Sequence, residues 1–511
     1  MSDTMAQPAS TAKTFFVGTP AFLVAPPTFA AQTNAQNQAF TDGVTAGDII
    51  FTPGKTVAYA LQQRIAELDM LLSASVSEVL HDTRFQTLEA SWRGLQGLVM
   101  NTDTSEMLKL RVLSATSDEL YKDLSGAVDR DQSALFKKLY EEEYGTFGGN
   151  PYGVLLYDYE FGRSSGDPDD TAHANDFELA TLLSGVAAAA HAPLIAAAGP
   201  TLFDRDWHDY TTLGVPRDLS KIFETADMLT WAALRATDDS RYLSLVMPRV
   251  LMRLPYGHET DTVTGMTPVD GMDFDELLTE PSTGMQHSDY LWGNAVWALG
   301  QCITDAFSQF QWCAAIRGKE GGGLVSDLPL HTFTTPAGDV TAKVPTEVAI
   351  TDRREKELND LGFIALCYEK GTTDACFFGG ATVQKPQVYT NPDANANAQA
   401  SALLPYILTA SRFAHYIKKI VREKVGSFQT RGELETFLNN WIADYVLIND
   451  DASQTSKASF PLRAARVDVT EVTGSVGSYN ATVFLQPHFQ LEELTASIRL
   501  VASLPAPPSA S

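Results

Sequence analysis

The chain has 511 residues, of which 44% are hydrophobic and 20% charged, so it is long and apolar enough to bury more than one core. Its 63 acidic against 37 basic residues give a formal charge of -26, which repels phosphate backbones and anionic lipid surfaces. This composition excludes a mainly disordered chain and argues against a nucleic-acid-binding protein.

The cysteines and the hydropathy indicate the compartment. The four cysteines form neither a disulfide framework nor a CxxC zinc pattern, which fits a reducing compartment. No stretch approaches the roughly 18 apolar residues of a membrane helix, and Gly18 and Pro20 interrupt the apolar run at 15–25 that most resembles a signal peptide. We expect a soluble, cytoplasmic protein with no membrane insertion, metal or cofactor.

Residues 1–54 differ in composition from the rest of the chain. Only Asp3, Lys13, Asp42 and Asp48 are charged before residue 54, and several prolines break any helix. A disordered leader is one interpretation. The large apolar residues at 15–29 favour an extended arm that docks on another surface, because they would be adhesive in water.

Helical periodicity begins after the arm and defines a helical region over 55–125. The apolar positions recur at steps of three and four, first at Val57, Leu61, Ile65, Leu68 and Leu72, and then at Phe85, Leu88, Trp92, Leu95 and Val99.

Residues 126–390 are predicted to form central α/β domains. Short β-rich runs at Leu110–Leu113 and Gly153–Tyr157 lie among helical runs near 131–144 and 176–191, which predicts a mixed sheet with helices on its faces. A polar surface loop is expected near 258–288, with helices near 289–310 and 352–361. The predicted fold class is therefore α/β, of the mixed α+β kind.

Residues 391–504 are predicted to hold C-terminal helices and a β-hairpin, ahead of a tail at 505–511. Helical patterns cover 395–425, bent at Pro405, and 431–447. Runs at 465–473 and 479–486 flank a Gly-Ser loop and predict a hairpin, with a third strand at 497–502.

The motifs of phosphate loops, nucleophile elbows, zinc hydrolases and dinucleotide folds are absent. The glycines at 321–323 lack the framing of a nucleotide site and favour a tight turn. His191 has the setting of a structural histidine, and Asp158 and Glu160 have the setting of solvated strand-end carboxylates more than of an acid/base pair. Arg353 lies one turn before Glu357 on a mixed-charge helix, where a solvated face is expected unless a partner covers it.

Several segments resemble the large sheath subunit of the bacterial type VI secretion system, the TssC/VipB family. They include RFQTLEASWRGL at 84–95, DQSALFKKLYEEEYGTFGGNPYGVLLYDYEFG at 131–162, GVAAAAHAP at 185–193 and WCAAIRGKEGGGLVSDLPLHTF at 312–333. Matching segments continue in order to PHFQLEEL at 487–494.

The resemblance implies a phage-tail-sheath-like structural protein with no enzymatic activity. Such a subunit pairs with a small sheath subunit of the TssB/VipA type, and neighbouring copies form a six-fold helical sheath on a baseplate and around an inner tube. The sheath contracts to propel the tube and its spike, and an AAA+ unfoldase dismantles the contracted form. A sheath subunit of another contractile machine, such as a phage tail, and an enzyme of unrecognised type are the alternatives.

The resemblance also implies binding segments. Strand exchange is expected at two places, the linker before the first helix, with Asp48, Ile49, Ile50 and Phe51, and the C-terminal strands, with Val467, Val469, Val483, Phe484 and Leu485. Arg353 and Arg354 are further candidates, because arginines at interfaces pair with carboxylates. Family members often begin with an amphipathic helix that the unfoldase grasps, but Pro20, Pro26 and Pro27 forbid a continuous helix of that kind here.

Overall fold

The computed structural model describes residues 38, 57–164, 174–215, 217–257, 274, 276, 287–334, 338–424, 430–449, 451–471, 479–488 and 490. These residues belong to two compact units that alternate along the chain. Unit 1 contains the described residues within 1–93, 251–293 and 329–343, and unit 2 contains those within 94–250, 294–328 and 344–511. The domain limits predicted at 54, 125, 390 and 504 stay predictions.

Helices carry most of the regular structure of the described chain. The α-helices are α1 (Val57–Leu80), α2 (Thr83–Met100), α3 (Ser117–Gly126), α4 (Ala134–Phe136, continued by π-helical turns over Lys137–Tyr144), α5 (Asp176–Ala190), α6 (Ser220–Phe223), α7 (Leu229–Arg235), α8 (Val296–Phe310), α9 (Asp352–Asp360), α10 (Pro392–Ala400), α11 (Leu404–Lys424), α12 (Arg431–Ala443) and α13 (Gln454–Ser459). Short 3-10 turns lie at Arg130–Gln132, Pro200–Leu202, Thr211–Gly214, Ala226–Met228, Asp239–Tyr242 and His287–Asp289.

The strands are mostly short. They are β1 (Leu155–Phe161), β2 (Leu194–Ala198), β3 (Leu243–Met247), β4 (Val250–Leu251), β5 (Trp292–Gly293), β6 (Leu324–Val325), β7 (His331–Thr334), β8 (Val340–Lys343), β9 (Phe363–Tyr368), β10 (Ala375–Phe377), β11 (Leu462–Glu471) and β12 (Tyr479–Pro487).

A six-stranded sheet in the order β1-β2-β3-β9-β10-β6 forms the centre of unit 2. The first four strands are parallel, and β10 and β6 are added antiparallel. Every residue of β2 and β3 is buried, so both faces of the sheet are covered, as buried parallel strands require. The predicted mixed sheet with helices on its faces is confirmed.

Two helices show how the faces are covered. Helix α5 places Leu179, Leu183 and Val186 in the core that contains Leu194 and Ala196 of β2. Helix α8 approaches the other side of β1 through Gly300, where an added Cβ would lie 2.6 Å from a methyl carbon of Leu156. The glycine therefore permits a close helix-to-strand contact that a larger residue would push apart.

A second core of unit 2 forms around the C-terminal helices. Trp312 stacks on Phe413 of α11 with ring centroids 4.5 Å apart, and Leu438 and Ile442 of α12 pack beside them. Because Val467 of β11 is buried in the same cluster, the hairpin rests on α12.

Unit 1 contains a buried ion-pair network. The guanidinium of Arg253 donates to both oxygens of Glu276 and to Glu89 of α2, with shortest N–O distances of 2.7 Å to each residue. His81 reaches Glu276 at 3.2 Å, and the Arg253 group lies 4.3 Å from the ring centre of Tyr256. Glu276 falls inside the surface loop predicted at 258–288, yet its side chain is only 1% exposed.

Two predicted elements were wrong. Leu110–Leu113 forms no strand, and Val112 and Leu113 are exposed, because β propensity supplies no neighbouring strand with which to pair. The single bent helix over 395–425 is two helices, α10 and α11, with Pro405 in the first turn of α11, where its missing N–H is tolerated. Leu404 N instead donates to Gly380 O at 2.7 Å, which holds the break.

Other predictions fall partly or wholly outside the description. The helix predicted from 289 begins at Val296, after a 3-10 turn and β5. The third strand predicted at 497–502 lies outside the described residues, as do 1–37, 39–56 and most of 258–286.

Candidate assembly surfaces

The hairpin of β11 and β12 carries all five of the C-terminal residues predicted to bind a partner. Val467 lies opposite Val483 in the antiparallel register, and Val469 lies two residues further along β11. Val467 and Val469 are buried against α12, with Val483 and Leu485 partly buried beside them. Phe484 is on the opposite face, 50% exposed, with the guanidinium carbon of Arg466 4.9 Å from its ring centre.

Side chains of α12 bond the outer edge of β11. The Asn439 side-chain amide donates to Val467 O at 2.7 Å and accepts from Val467 N at 3.0 Å, so it imitates a neighbouring peptide group. Glu435, one turn earlier, accepts from Val469 N at 3.3 Å. The sequence analysis missed both residues. The available signal was two polar residues one turn apart on a helix whose neighbouring positions Leu438 and Ile442 are buried.

The outer edge of β12 is different. Within the described part of the chain, β12 pairs only with β11. An exposed strand edge presents rows of N–H and C=O groups that another strand can bond. The hairpin thus has one edge bonded by α12 and one edge open.

The helices of unit 1 expose large apolar side chains. On α1, Met70 is 62% exposed, and on α2, Trp92 is 65% exposed, while the small polar Ser73 and Ser77 of α1 are buried. Further exposed members of this set are Ile65, Leu72, Val76 and Leu88. A cluster of this size on a soluble domain is typical of a protein-protein interface, because water solvates it poorly.

Arg353 and Arg354 lie at the start of α9 but differ in surroundings. Arg354 is largely buried and donates to Glu357 at 2.6 Å and to the carbonyls of Val215 and Arg217 at 2.9 and 2.8 Å. The ion pair expected between Arg353 and Glu357 was wrong, because Arg354 occupies that carboxylate and Leu219 N donates to its other oxygen at 2.6 Å. Both arginines line a cavity of about 480 Å³, with Arg353 exposed.

Asp48, Ile49, Ile50 and Phe51 lie outside the described residues. Their role in strand exchange stays a prediction.

The residues considered for chemistry have structural surroundings. Glu160 forms a two-point ion pair with Arg249 at 2.6 and 2.7 Å. His191 ends α5 in the left-handed conformation, its Nδ1 lies 3.0 Å from the Tyr242 hydroxyl, and burial lowers its pKa. Gly322 has φ +85° in a turn whose backbone passes Phe377, as the glycine run predicted. Burial raises the pKa of the Cys302 thiol to about 12, which suppresses its reactivity.

Two further surveys of the described residues bear on function. They contain no group of three or more histidine, cysteine and acidic side chains placed to hold a metal ion. In that same part of the chain, no helix combines the length and the apolar character needed to cross a bilayer.

Comparisons with known proteins identify the relatives. Residues 62–384 match the family described as EvpB/VC_A0108, tail sheath N-terminal domain, and residues 393–504 match the EvpB/VC_A0108, tail sheath gpW/gp25-like domain. The chain is 47% identical over 452 residues to the type VI secretion system sheath protein TssC1 of Pseudomonas aeruginosa, covering 88% of this chain and 86% of that protein.

Two solved structures share a lower similarity. The baseplate of the anti-feeding prophage matches with a TM-score of 0.33 at 11% identity over 64% of this chain and 66% of that one. Its helical sheath in the contracted state matches with a TM-score of 0.28 at 13% identity over 64% and 75%.

The family match and the curated relative define a structural protein of the tail-sheath class. The chain belongs to the EvpB/VC_A0108 family of type VI secretion system sheath proteins. The predicted resemblance to the TssC/VipB family is confirmed. Because the family is structural, the prediction that the chain is not an enzyme is confirmed as well.

Proposed function

We propose that this chain is the large subunit of a type VI contractile sheath. It pairs with a small sheath subunit, polymerises with copies of itself around an inner tube in the cytoplasm, and contracts to propel the tube and its spike. The observation that carries the pairing is the set of exposed apolar side chains on α1 and α2.

The size of that set supports a permanent partner. Fully burying a large apolar side chain contributes about 1.5–3 kcal/mol, and the six exposed members of the set are roughly half exposed. Covering them would therefore contribute on the order of 5–8 kcal/mol before the costs of association. A free subunit with this surface is expected to aggregate, which a small sheath subunit seated on α1 and α2 would prevent.

Strand exchange would link the subunits. Residues 48–51 of one chain would extend the sheet of another chain's β11–β12 hairpin, whose open β12 edge supports this arrangement. Main-chain bonds of this kind hold while the rigid bodies rotate during contraction. If each subunit gained about 1–3 kcal/mol on switching, hundreds together would drive the stroke without nucleotide.

The remaining partners follow from the same proposal. The sheath would start from a baseplate, and an AAA+ unfoldase would recycle the contracted form. Because prolines interrupt residues 14–30, we expect the unfoldase to bind something other than a continuous N-terminal helix.

The test is co-expression of the full chain with and without the small sheath subunit, followed by negative-stain electron microscopy. Hollow tubes only in the co-expressed sample are expected, and discrete particles in both samples would contradict the proposal. The variant Met70→Glu should abolish co-purification of the small subunit, because it places a charge in the covered surface. Val388→Glu is the matched control, since Val388 is 89% exposed on unit 2, away from that surface in the chain. Equal co-purification of both variants would place the small subunit elsewhere.

A further inference from the structure

The two edges of the C-terminal hairpin are chemically unequal. On β11, the N–H and C=O of Val467 and the N–H of Val469 are bonded by Asn439 and Glu435 of α12. Nearer its start, Leu462 N donates to Tyr445 O and Leu462 O accepts from Leu447 N at 2.8 Å. An incoming strand would thus find the β11 edge occupied on both sides of Ala465.

The register gives the direction of the free groups on β12. Since the main-chain groups of Val467 point to α12, the pair Val467 and Val483 does not exchange hydrogen bonds between the strands. The N–H and C=O of Val483 therefore point away from β11, and those of Ala481, opposite Val469, do the same. Neither has a backbone partner in the described part of the chain.

We infer that strands from other subunits add at the β12 edge alone, and that Asn439 and Glu435 are positioning residues that close the β11 edge. The inference rests on the proposed sheath function and deepens it. Closing one edge gives the exchange a single register and direction, since a hairpin open on both sides could pair with strands on either side.

The hairpin also specifies the occupant. The face towards α12 is apolar and continues through Val483 and Leu485, which remain partly exposed at the open edge. A strand that extends this face needs apolar side chains at alternate positions. We commit to residues 49–51 of a second copy, where Ile49 and Phe51 are two residues apart and only Asp48 is charged nearby.

The experiment compares one substitution on the two edges in the full chain co-expressed with the small subunit. Ala481→Pro removes an outward N–H from β12, and Ala465→Pro removes one from β11 at a position that α12 does not bond. Proline is tolerated where the N–H faces outward, so both hairpins should form. Hydrogen exchange at Val467, whose amide Asn439 bonds, verifies the hairpin in each variant.

The expected result is a loss of sedimentable tubes of about tenfold or more in Ala481→Pro, because the lost contact repeats at every subunit, with wild-type yield in Ala465→Pro. Tubes in both variants, tubes in neither, or tubes only in Ala481→Pro would each overturn the inference. Phe51→Asp should match the loss in Ala481→Pro, and its survival would overturn the commitment to residues 49–51. If the wild-type pair forms no tubes, the proposed sheath function itself fails.

Discussion

Replacing Arg253 by methionine tests the ion-pair network of unit 1. The Arg253 side chain is 8% exposed and bonds two carboxylates, Glu276 at 1% and Glu89 at 12% exposure. Methionine keeps the volume of the apolar stem but removes the charge and every N–H donor. Both carboxylates then stay buried with fewer hydrogen bonds.

The magnitude follows from this burial. Breaking a buried ion pair by removing one partner costs about 3–5 kcal/mol, because the other charge is left uncompensated. That loss corresponds to roughly 100- to 5,000-fold faster amide exchange in unit 1, until the rate of the unfolded chain is reached. His81 remains bonded to Glu276, which favours the lower end of the range.

The assay is hydrogen exchange measured on peptides covering 250–257 and 287–293, where Met252 N donates to Leu291 O at 2.9 Å. Local exchange is preferred to global unfolding because a chain of two units need not unfold in one step. Arg84→Met is the matched control, since Arg84 pairs with Asp82 on an exposed surface and its loss should leave exchange unchanged.

A double variant separates charge from packing. Glu276→Gln added to Arg253→Met should recover part of the protection, because a neutral amide is less costly to bury than an unpaired carboxylate. Equal exchange in Arg253→Met and Arg84→Met, or no recovery in the double variant, would refute the assignment of buried-charge energetics to this network.

Three further outcomes are expected. The hydrogen bond to Glu276 raises the pKa of His81 above 6.5, so this bond stabilises unit 1 below that pH and the gain is lost as pH rises through the folded-state pKa. The exchange ratio of His81→Gln to wild type should therefore be large at pH 6 and approach one at pH 9; a flat ratio would contradict it. Gly323→Ala would place a Cβ 2.6 Å from backbone atoms that cannot move aside, lowering the unfolding free energy by about 1–3 kcal/mol, whereas Gly153→Ala meets nothing within 4 Å and should melt like wild type. Phe413→Ala should cost about 3–5 kcal/mol and speed exchange in the hairpin, because the fully buried ring supports it; unchanged hairpin exchange would separate the hairpin from that core.

Patterns between residues close in sequence predicted much of the fold. The three- and four-residue steps of apolar residues located α1 and α2, and two β-rich runs around a Gly-Ser loop located the hairpin of β11 and β12. Such patterns are read from neighbours in the chain and hold wherever a segment also finds a surface to pack on. Leu110–Leu113 had the residues of a strand without a neighbouring strand, so its prediction was wrong.

The candidate surfaces were predictable only in part. Val467, Val469, Val483 and Leu485 were assigned to the hairpin from the sequence, but the blocking of the β11 edge was not. Asn439 is 28 residues from Val467 in the chain, and no local period links a helix side chain to a particular strand peptide. In the same way, the helical period placed Glu357 within reach of both Arg353 and Arg354, and contacts with Val215 and Arg217 selected Arg354.

The sequence by itself determined the class of protein, the type of most elements and the absence of known catalytic motifs, because these depend on composition, short periods and quoted segments. Tertiary structure alone decided which face of α1 remains uncovered, which carboxylates surround Arg253 and which edge of the hairpin is open. These features depend on side chains that meet across long stretches of chain, and their free energy arises only when packing removes water from both partners.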